Sequence, residues 1–318
     1  MKFKDLQILN AKLKDRVNQL KKVISRLKSK PKTTEVAKPK SSEVAKAQSS
    51  QVAKPKSSDG ATPKTDDGAK PKTLVELPVS DLKKKGGGVW NVKGKVDWKK
   101  SSITEFRGQS VLKVVYQKGS GTSAHKGVGG IAFNAVPRGL PSDVAMLSFD
   151  VYFETGWEWS SGGKFGGFLI GQGQASGYNH SSTASSNRVM FQRSGGVISY
   201  IYPPANLFQV DPRLKPEGHG VGYFGDVFPA GTLKVGTWNS VQIGVKNNTF
   251  DKGRPNADGL AFLQVNGKSV TKSKLRWSAH TGTKISEIMF STFFGGPDPA
   301  TTECVAYFKN FKLLEWDT

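Results

Sequence analysis

Nine short strand-like runs, spread through residues 74–318 with no long apolar 3.6-residue period between them, constrain this chain more than any other feature. They are 111–117, 145–153, 165–170, 188–193, 197–202, 240–245, 261–265, 285–294 and 305–314, punctuated by Gly, Pro, Asn and Asp. Residues that alternate in and out of a pleated surface need a second sheet to bury against. Nine or more such strands over about 240 residues therefore predict an all-β, antiparallel sandwich of the jelly-roll or lectin type. The stretch GTWNSVQIGVKNN…GLAFLQVNGK reads as two neighbouring strands, the second ending in an Asn266–Gly267 turn.

The sequence before this β region has a different texture. Residues 2–29 carry Leu6, Leu13, Leu20 and Leu27 seven apart, preceded by three positions by Phe3, Asn10, Val17 and Ile24. That is the a/d pattern of a short parallel coiled coil, so self-association through residues 2–29 is expected. Lys14, Lys21 and Lys28 at e weaken it by repulsion, and a solitary basic amphipathic helix is the alternative. Residues 33–72 are five octads (TTEVAKPK, SSEVAKAQ, SSQVAKPK, SSDGATPK, TDDGAKPK), whose prolines forbid a continuous helix and which hold almost nothing to bury. The expected division is a helix at 1–30, a disordered Lys/Pro/Ser linker at 31–73 and the β domain at 74–318.

Charge narrows the partners. The chain has 47 basic and 25 acidic residues, a net +22, and residues 1–85 hold 22 of the basic against 9 of the acidic. Both parts favour anionic partners. No aromatics interleave with the linker lysines to stack on bases, so specific nucleic-acid binding is not expected. Residues 1–10 lack a signal peptide's apolar core, and no run reaches transmembrane length.

Most sites of known chemistry are absent. A single cysteine, Cys304, excludes an internal disulfide framework and lies in an apolar run that predicts a buried thiol. Gly171, Gly173 and Gly177 have the wrong spacing for a dinucleotide loop and no βαβ unit around them. His125, His180, His219 and His280 are scattered without a ligand pair, so neither a metal nor another cofactor is expected. Glu154 and Glu158 fit solvated loop or edge positions better than a glycosidase carboxylate pair. Trp157 and Trp159 suit either sugar stacking or core packing. Asn179 and Asn247 begin N-glycosylation sequons, which carry little weight without a secretion signal.

What remains is residues 162–204. Lys164 opens one strand-like run, Ser186 and Arg188 share a face of the next, and Tyr200 and Tyr202 share a face of the third. The polar face of a half-solvated sheet would carry the same residues, and composition alone favours that plainer reading. The chemistry is nonetheless coherent. Cleaving a uronate polymer by β-elimination needs removal of the C5 proton beside a carboxylate. A guanidinium and a hydroxyl bound to that carboxylate stabilise the enolate-like intermediate. Tyrosine and lysine, with ordinary pKa values of about 10 and 10.4, can act as base or acid once neighbouring cations lower them.

The segments K164-F-G-G, S186-N-R188 and Y200-I-Y202 resemble the active-site strands of family 14 polysaccharide lyases, of the chlorovirus glucuronan and alginate lyase type. The resemblance covers residues 86–318 and all five positions with their spacing. It implies a β-jelly roll that needs no cofactor and acts on an anionic polysaccharide of an algal host wall, with the protein expected in a virion or released on host lysis. It further implies that Arg188, helped by Ser186, neutralises the substrate carboxylate while Tyr200, Tyr202 and Lys164 move protons. His180 is placed at the edge of the same cleft.

The resemblance also makes a geometric demand. A two-residue Gly195–Gly196 loop would pair Arg188 with Pro203 and turn Tyr202 to the opposite face. A three-residue loop at Ser194–Gly195–Gly196 would pair Arg188 with Tyr202 and keep every residue on one face. The odd loop is expected, with glycine at a positive φ. Two other readings stand beside the lyase: a non-catalytic lectin-like sandwich using the same groove, and a structural virion or wall-attachment protein.

Overall fold

The computed structural model describes residues 71–122, 127–160, 162–177, 181–207, 214–216, 222–224, 229–296 and 298–316. The expected helix at 1–30, nearly all of the linker, and His125, Asn179, His180 and His219 lie outside them.

The first strands are β1 (Thr73–Leu77), β2 (Val92–Asp97), β3 (Ser102–Phe106), β4 (Gln109–Tyr116), β5 (Ile131–Ala135) and β6 (Val144–Phe153). The middle of the chain supplies β7 (Gly163–Gly171), β8 (Ala184–Phe191) and β9 (Gly196–Tyr202). Three short strands follow: β10 (Leu214–Pro216), β11 (Gly222–Phe224) and β12 (Pro229–Thr232). Then come β13 (Trp238–Lys246), β14 (Phe250–Asp251), β15 (Arg254–Pro255), β16 (Gly259–Val265), β17 (Lys268–Leu275), β18 (Ile285–Phe294) and β19 (Cys304–Leu314).

Two antiparallel sheets form the sandwich. One runs β17-β16-β13-β6-β19-β4-β3, with β1 also paired to β19; the other runs β12-β9-β8-β7-β18-β5-β2. Each of the nine expected runs overlaps a strand. The sequence reading passed over β1, β2, β3, β5 and β17, and the short β10, β11, β12, β14 and β15. Of these, β3 turns into β4 through Arg107–Gly108 rather than Asn-Gly, both residues at positive φ, which is what a tight two-residue hairpin requires. The Asn266–Gly267 turn joins β16 to β17 as expected, with φ of 51° and 81°.

The core lies between the sheets and is dominated by rings. Phe149 meets Phe165 edge-on at 6.3 Å and stacks on Phe311 at 5.4 Å, while Phe290 meets Phe308 edge-on at 5.5 Å. Trp157 is buried and Trp159 packs against the same cluster, so both tryptophans serve packing. Cys304 is buried and unpaired, as its apolar surroundings suggested. Asn247 is also buried, and its side-chain amide donates inward to the Thr283 carbonyl.

Strands with one covered face show strict alternation, as in β5 and β16. By contrast β7, β8 and β9 are buried along almost their whole length. The polar residues on them therefore do not sit on a half-solvated face, which removes the plainer reading of this segment.

Candidate active site

The second sheet's face away from the core gathers Lys164, Ser186, Arg188, Tyr200 and Tyr202. Two backbone devices put them there. The first is the loop between β8 and β9. Gln192 and Gly196 close it with a hydrogen bond from the Gln192 N–H to the Gly196 carbonyl at 2.7 Å, leaving Arg193, Ser194 and Gly195 as a three-residue turn. The expected odd loop is present, but it begins one residue earlier than expected. Arg188 consequently pairs with Tyr200 and Ser186 with Tyr202, a register two residues from the expected Arg188–Tyr202 pairing. A shift of two preserves the face. Gly195 takes the positive φ of 78°, and Ser194 takes a second one of 60°.

The second device is a bulge in β7. Lys164 pairs with Met190 and Gly167 with Arg188, so Phe165 and Gly166 together oppose Val189 alone. Phe165 and Phe168 both enter the core, three residues apart, which no regular strand permits. The extra residue turns Lys164 to the face shared by Gly167 and Arg188. The two glycines make it possible: a Cβ at Gly167 would overlap the Asn187 carbonyl oxygen, and one at Gly166 would overlap the Phe290 ring.

The resulting geometry is close and dry. The Lys164 ammonium nitrogen lies over the Tyr200 ring at 4.6 Å and is 5.7 Å from the Tyr202 and Phe293 ring centres. The Arg188 guanidinium lies over Tyr202 at 5.3 Å, and the two phenol rings meet edge-on at 5.4 Å. Arg188 is 2% exposed, yet its Nε and Nη2 have no hydrogen-bond partner among the described residues. These atoms form one edge of the guanidinium, a fork that matches the two oxygens of a carboxylate.

The electrostatics follow from burial. Loss of water, and then the Arg188 charge, lower the Lys164 pKa to about 7. Burial also pushes the Arg188 pKa down, opposed by Tyr202 and Tyr200, though a guanidinium stays protonated. An amine that is part neutral at pH 7 beside a permanent cation is a proton acceptor next to an anion site.

Ser186 is completely buried, and its hydroxyl donates to the Ala175 carbonyl at 2.7 Å. Its single proton thus pins the 172–177 segment over the sheet. Asn187, between the two candidates, faces inward, where its carboxamide oxygen accepts from Ser199. Leu169, Ala175, Ala184 and Met289 complete the apolar wall beside the tyrosines, and sequence reasoning missed them along with Phe293. The paired glycines of K164-F-G-G were the available signal, since glycine inside a strand marks a bulge or a close backbone approach.

The rejected sites stay apart from this one. Glu154 accepts from the Tyr307 hydroxyl and Glu158 from Thr301, and His280 meets Asn206 at 3.2 Å. Among the described residues no cluster of three His, Cys, Asp or Glu could hold a metal ion, and no helix is long and apolar enough to cross a membrane.

Residues 104–311 match the family model of polysaccharide lyase 14. The fold is similar to that of the alginate lyase vAL-1 from Chlorella virus, at 46% identity and a TM-score of 0.71, covering 77% of this chain and all of that one. The PL-14 alginate lyase from Aplysia kurodai is similar at 25% identity and a TM-score of 0.61, again covering 77% and 100%. Exolysin of Paramecium bursaria Chlorella virus 1 is 30% identical over 263 residues, which is 73% of this chain. The chain spans 37% of the length of Exolysin.

Proposed function

Since the chain belongs to polysaccharide lyase family 14, we propose that it cleaves uronate polymers of the alginate or glucuronan kind by β-elimination at the Arg188 site. One observation carries the reading: a buried arginine with a free two-donor edge, set beside a lysine whose pKa is lowered to about 7. A uronate carboxylate seated on the Arg188 fork gains a charge-assisted bidentate contact in a low-dielectric site, where such contacts are strongest.

The steps balance without another reactant. The neutral Lys164 amine takes the C5 proton. The electron pair left on C5 delocalises into the carboxylate held by Arg188, then forms the C4–C5 double bond as the C4–O4 bond breaks. Tyr200 or Tyr202 gives its phenolic proton to the departing O4 and regains one from Lys164 or solvent. Arg188 supplies the positive charge that the intermediate needs, so the reaction runs without a metal. Ser186 acts as a positioning residue by tying the 172–177 segment over the tyrosines.

Likeness to two proteins of Chlorella viruses supports a role in breaking the wall polymers of an algal host, with the enzyme carried by the virion or released on lysis. The 2–29 heptads would then assemble copies of the domain on a basic tether.

The test is near-ultraviolet absorbance while the protein acts separately on alginate and on glucuronan. β-Elimination leaves a conjugated double bond at the new non-reducing end, and hydrolysis leaves none. A rise on either polymer supports the lyase. Binding with no rise on both would identify a lectin-like module instead.

A further inference from the structure

The site lies on a straight transverse row of the sheet. Tyr200 pairs with Arg188, Arg188 with Gly167, Gly167 with Met289, Met289 with Asn134, and Asn134 with Lys93. Residues paired in this way share a face, so the row is one continuous track over six strands. At its middle stands Gly167, where no side chain rises and none can be added without overlapping the Asn187 carbonyl. Strands spaced about 4.8 Å apart put the Lys93 end roughly 19 Å from Arg188. Several sugar rings fit along that distance.

The far end is itself a groove of about 640 Å³, lined among others by Lys93, Lys95, Asn134, Leu169, Gln172 and Glu287. Leu169 also belongs to the wall beside Tyr200 and Tyr202, which makes the two ends continuous. Glu287 is buried on the groove floor, with one carboxylate oxygen 2.5 Å from the Lys93 ammonium and the other 2.8 Å from the Asn134 amide. The Lys93 ammonium offsets the Glu287 charge, and the carboxylate in turn fixes Lys93 over the groove. The Lys93 side chain remains 59% exposed, and Lys95 has no ion-pair partner among the described residues.

Lysines on an edge strand such as β2 also protect the sheet from pairing with another chain. That role needs no groove, no buried carboxylate beneath the ammonium and no alignment with Arg188. We propose that Lys93 and Lys95, with Glu287 and Asn134 positioning Lys93, form a distal subsite that binds a second carboxylate of the same polymer several sugar units from the bond being broken. This rests on the uronate reading of the Arg188 site and adds a preference for long chains.

The test compares wild type with the Lys93→Ala/Lys95→Ala double variant over a length series, from short uronate oligosaccharides to polymer. Two exposed charge contacts predict a loss in kcat/KM on polymer of roughly 3–10-fold. The loss should shrink as the oligosaccharide becomes too short to span the row. Lys93→Arg/Lys95→Arg should recover most of it, which separates a charge effect from a damaged edge strand. A loss equal at every length, no loss on polymer, or no recovery with arginine overturns the subsite. If wild type forms no unsaturated product on any polymer, the lyase reading fails by itself. The same series read as binding affinity then decides the groove: a double-variant deficit that grows with length supports it, and a flat one overturns it.

Discussion

Burial changes the chemistry open to ordinary side chains, as at Lys164 and Arg188. An exposed lysine is almost wholly protonated at pH 7, whereas Lys164, held near 7 by lost solvation and by Arg188, is partly free base. On the reading above, kcat/KM rises as pH passes through about 7 and levels above it, because the free enzyme must present a neutral amine. A bound carboxylate offsets the Arg188 charge and raises the lysine pKa, so the limb in kcat lies at higher pH than the limb in kcat/KM. A pH profile of both constants checks the order. Lys164→Met should cut kcat by about 10²–10⁴-fold. The same change has a stability signature. The unfolded chain keeps the lysine proton up to about 10.4 and the folded one loses it near 7, so wild-type stability rises with pH between those values. Lys164→Met should therefore raise Tm more at pH 6.5 than at pH 10. Arg188→Ala should lower kcat/KM by about 10²–10³-fold without lowering Tm, since a buried guanidinium with unused donors contributes little to folding. An active Arg188→Ala protein would remove this residue from the mechanism.

Two small irregularities in β7, β8 and β9 decide whether the site exists. Inserting one residue into the Arg193–Gly195 turn would slide β9 by one position and send both tyrosines toward the core side. The expected result is a protein without turnover and with altered near-ultraviolet circular dichroism, as tyrosines leave their present surroundings. Gly167→Ala pushes a methyl group against the Asn187 carbonyl, and overpacking of this kind costs about 1–3 kcal/mol. Urea denaturation measures that cost. Activity should fall by more than the loss of folded protein explains, because the bulge that aims Lys164 is disturbed.

At the scale of the whole molecule, charge and shape act together. On the proposed function, the net +22 charge draws polyanions from solution, and the row from Arg188 to Lys93 receives them. Raising salt from 50 to 500 mM should lower kcat/KM on polymer several-fold and on short oligosaccharides far less, because screening weakens the long-range attraction first. Equal salt sensitivity at all chain lengths would mean that the basic surface does not guide the substrate.

Nine short runs rich in β-branched and aromatic residues, punctuated by Gly, Pro, Asn and Asp and without a helical period, were enough to specify an antiparallel sandwich, because apolar strands of that length need a second sheet to bury against. Asn266–Gly267 was equally legible, since its conformation is set by those two residues. The five candidate residues were readable as a resemblance, from type and spacing along the chain. Their convergence was not. By simple alternation Lys164 belongs with Phe168 on the core side, and only the bulge opposite Val189 turns it to Arg188. Nor did the chain reveal that Ser186 spends its proton on Ala175, that β8 is covered on both faces, or that Lys93 shares a row with Arg188. Those are facts of register between strands far apart in sequence. Backbone pairing and packing decide them jointly, and a local pattern encodes neither.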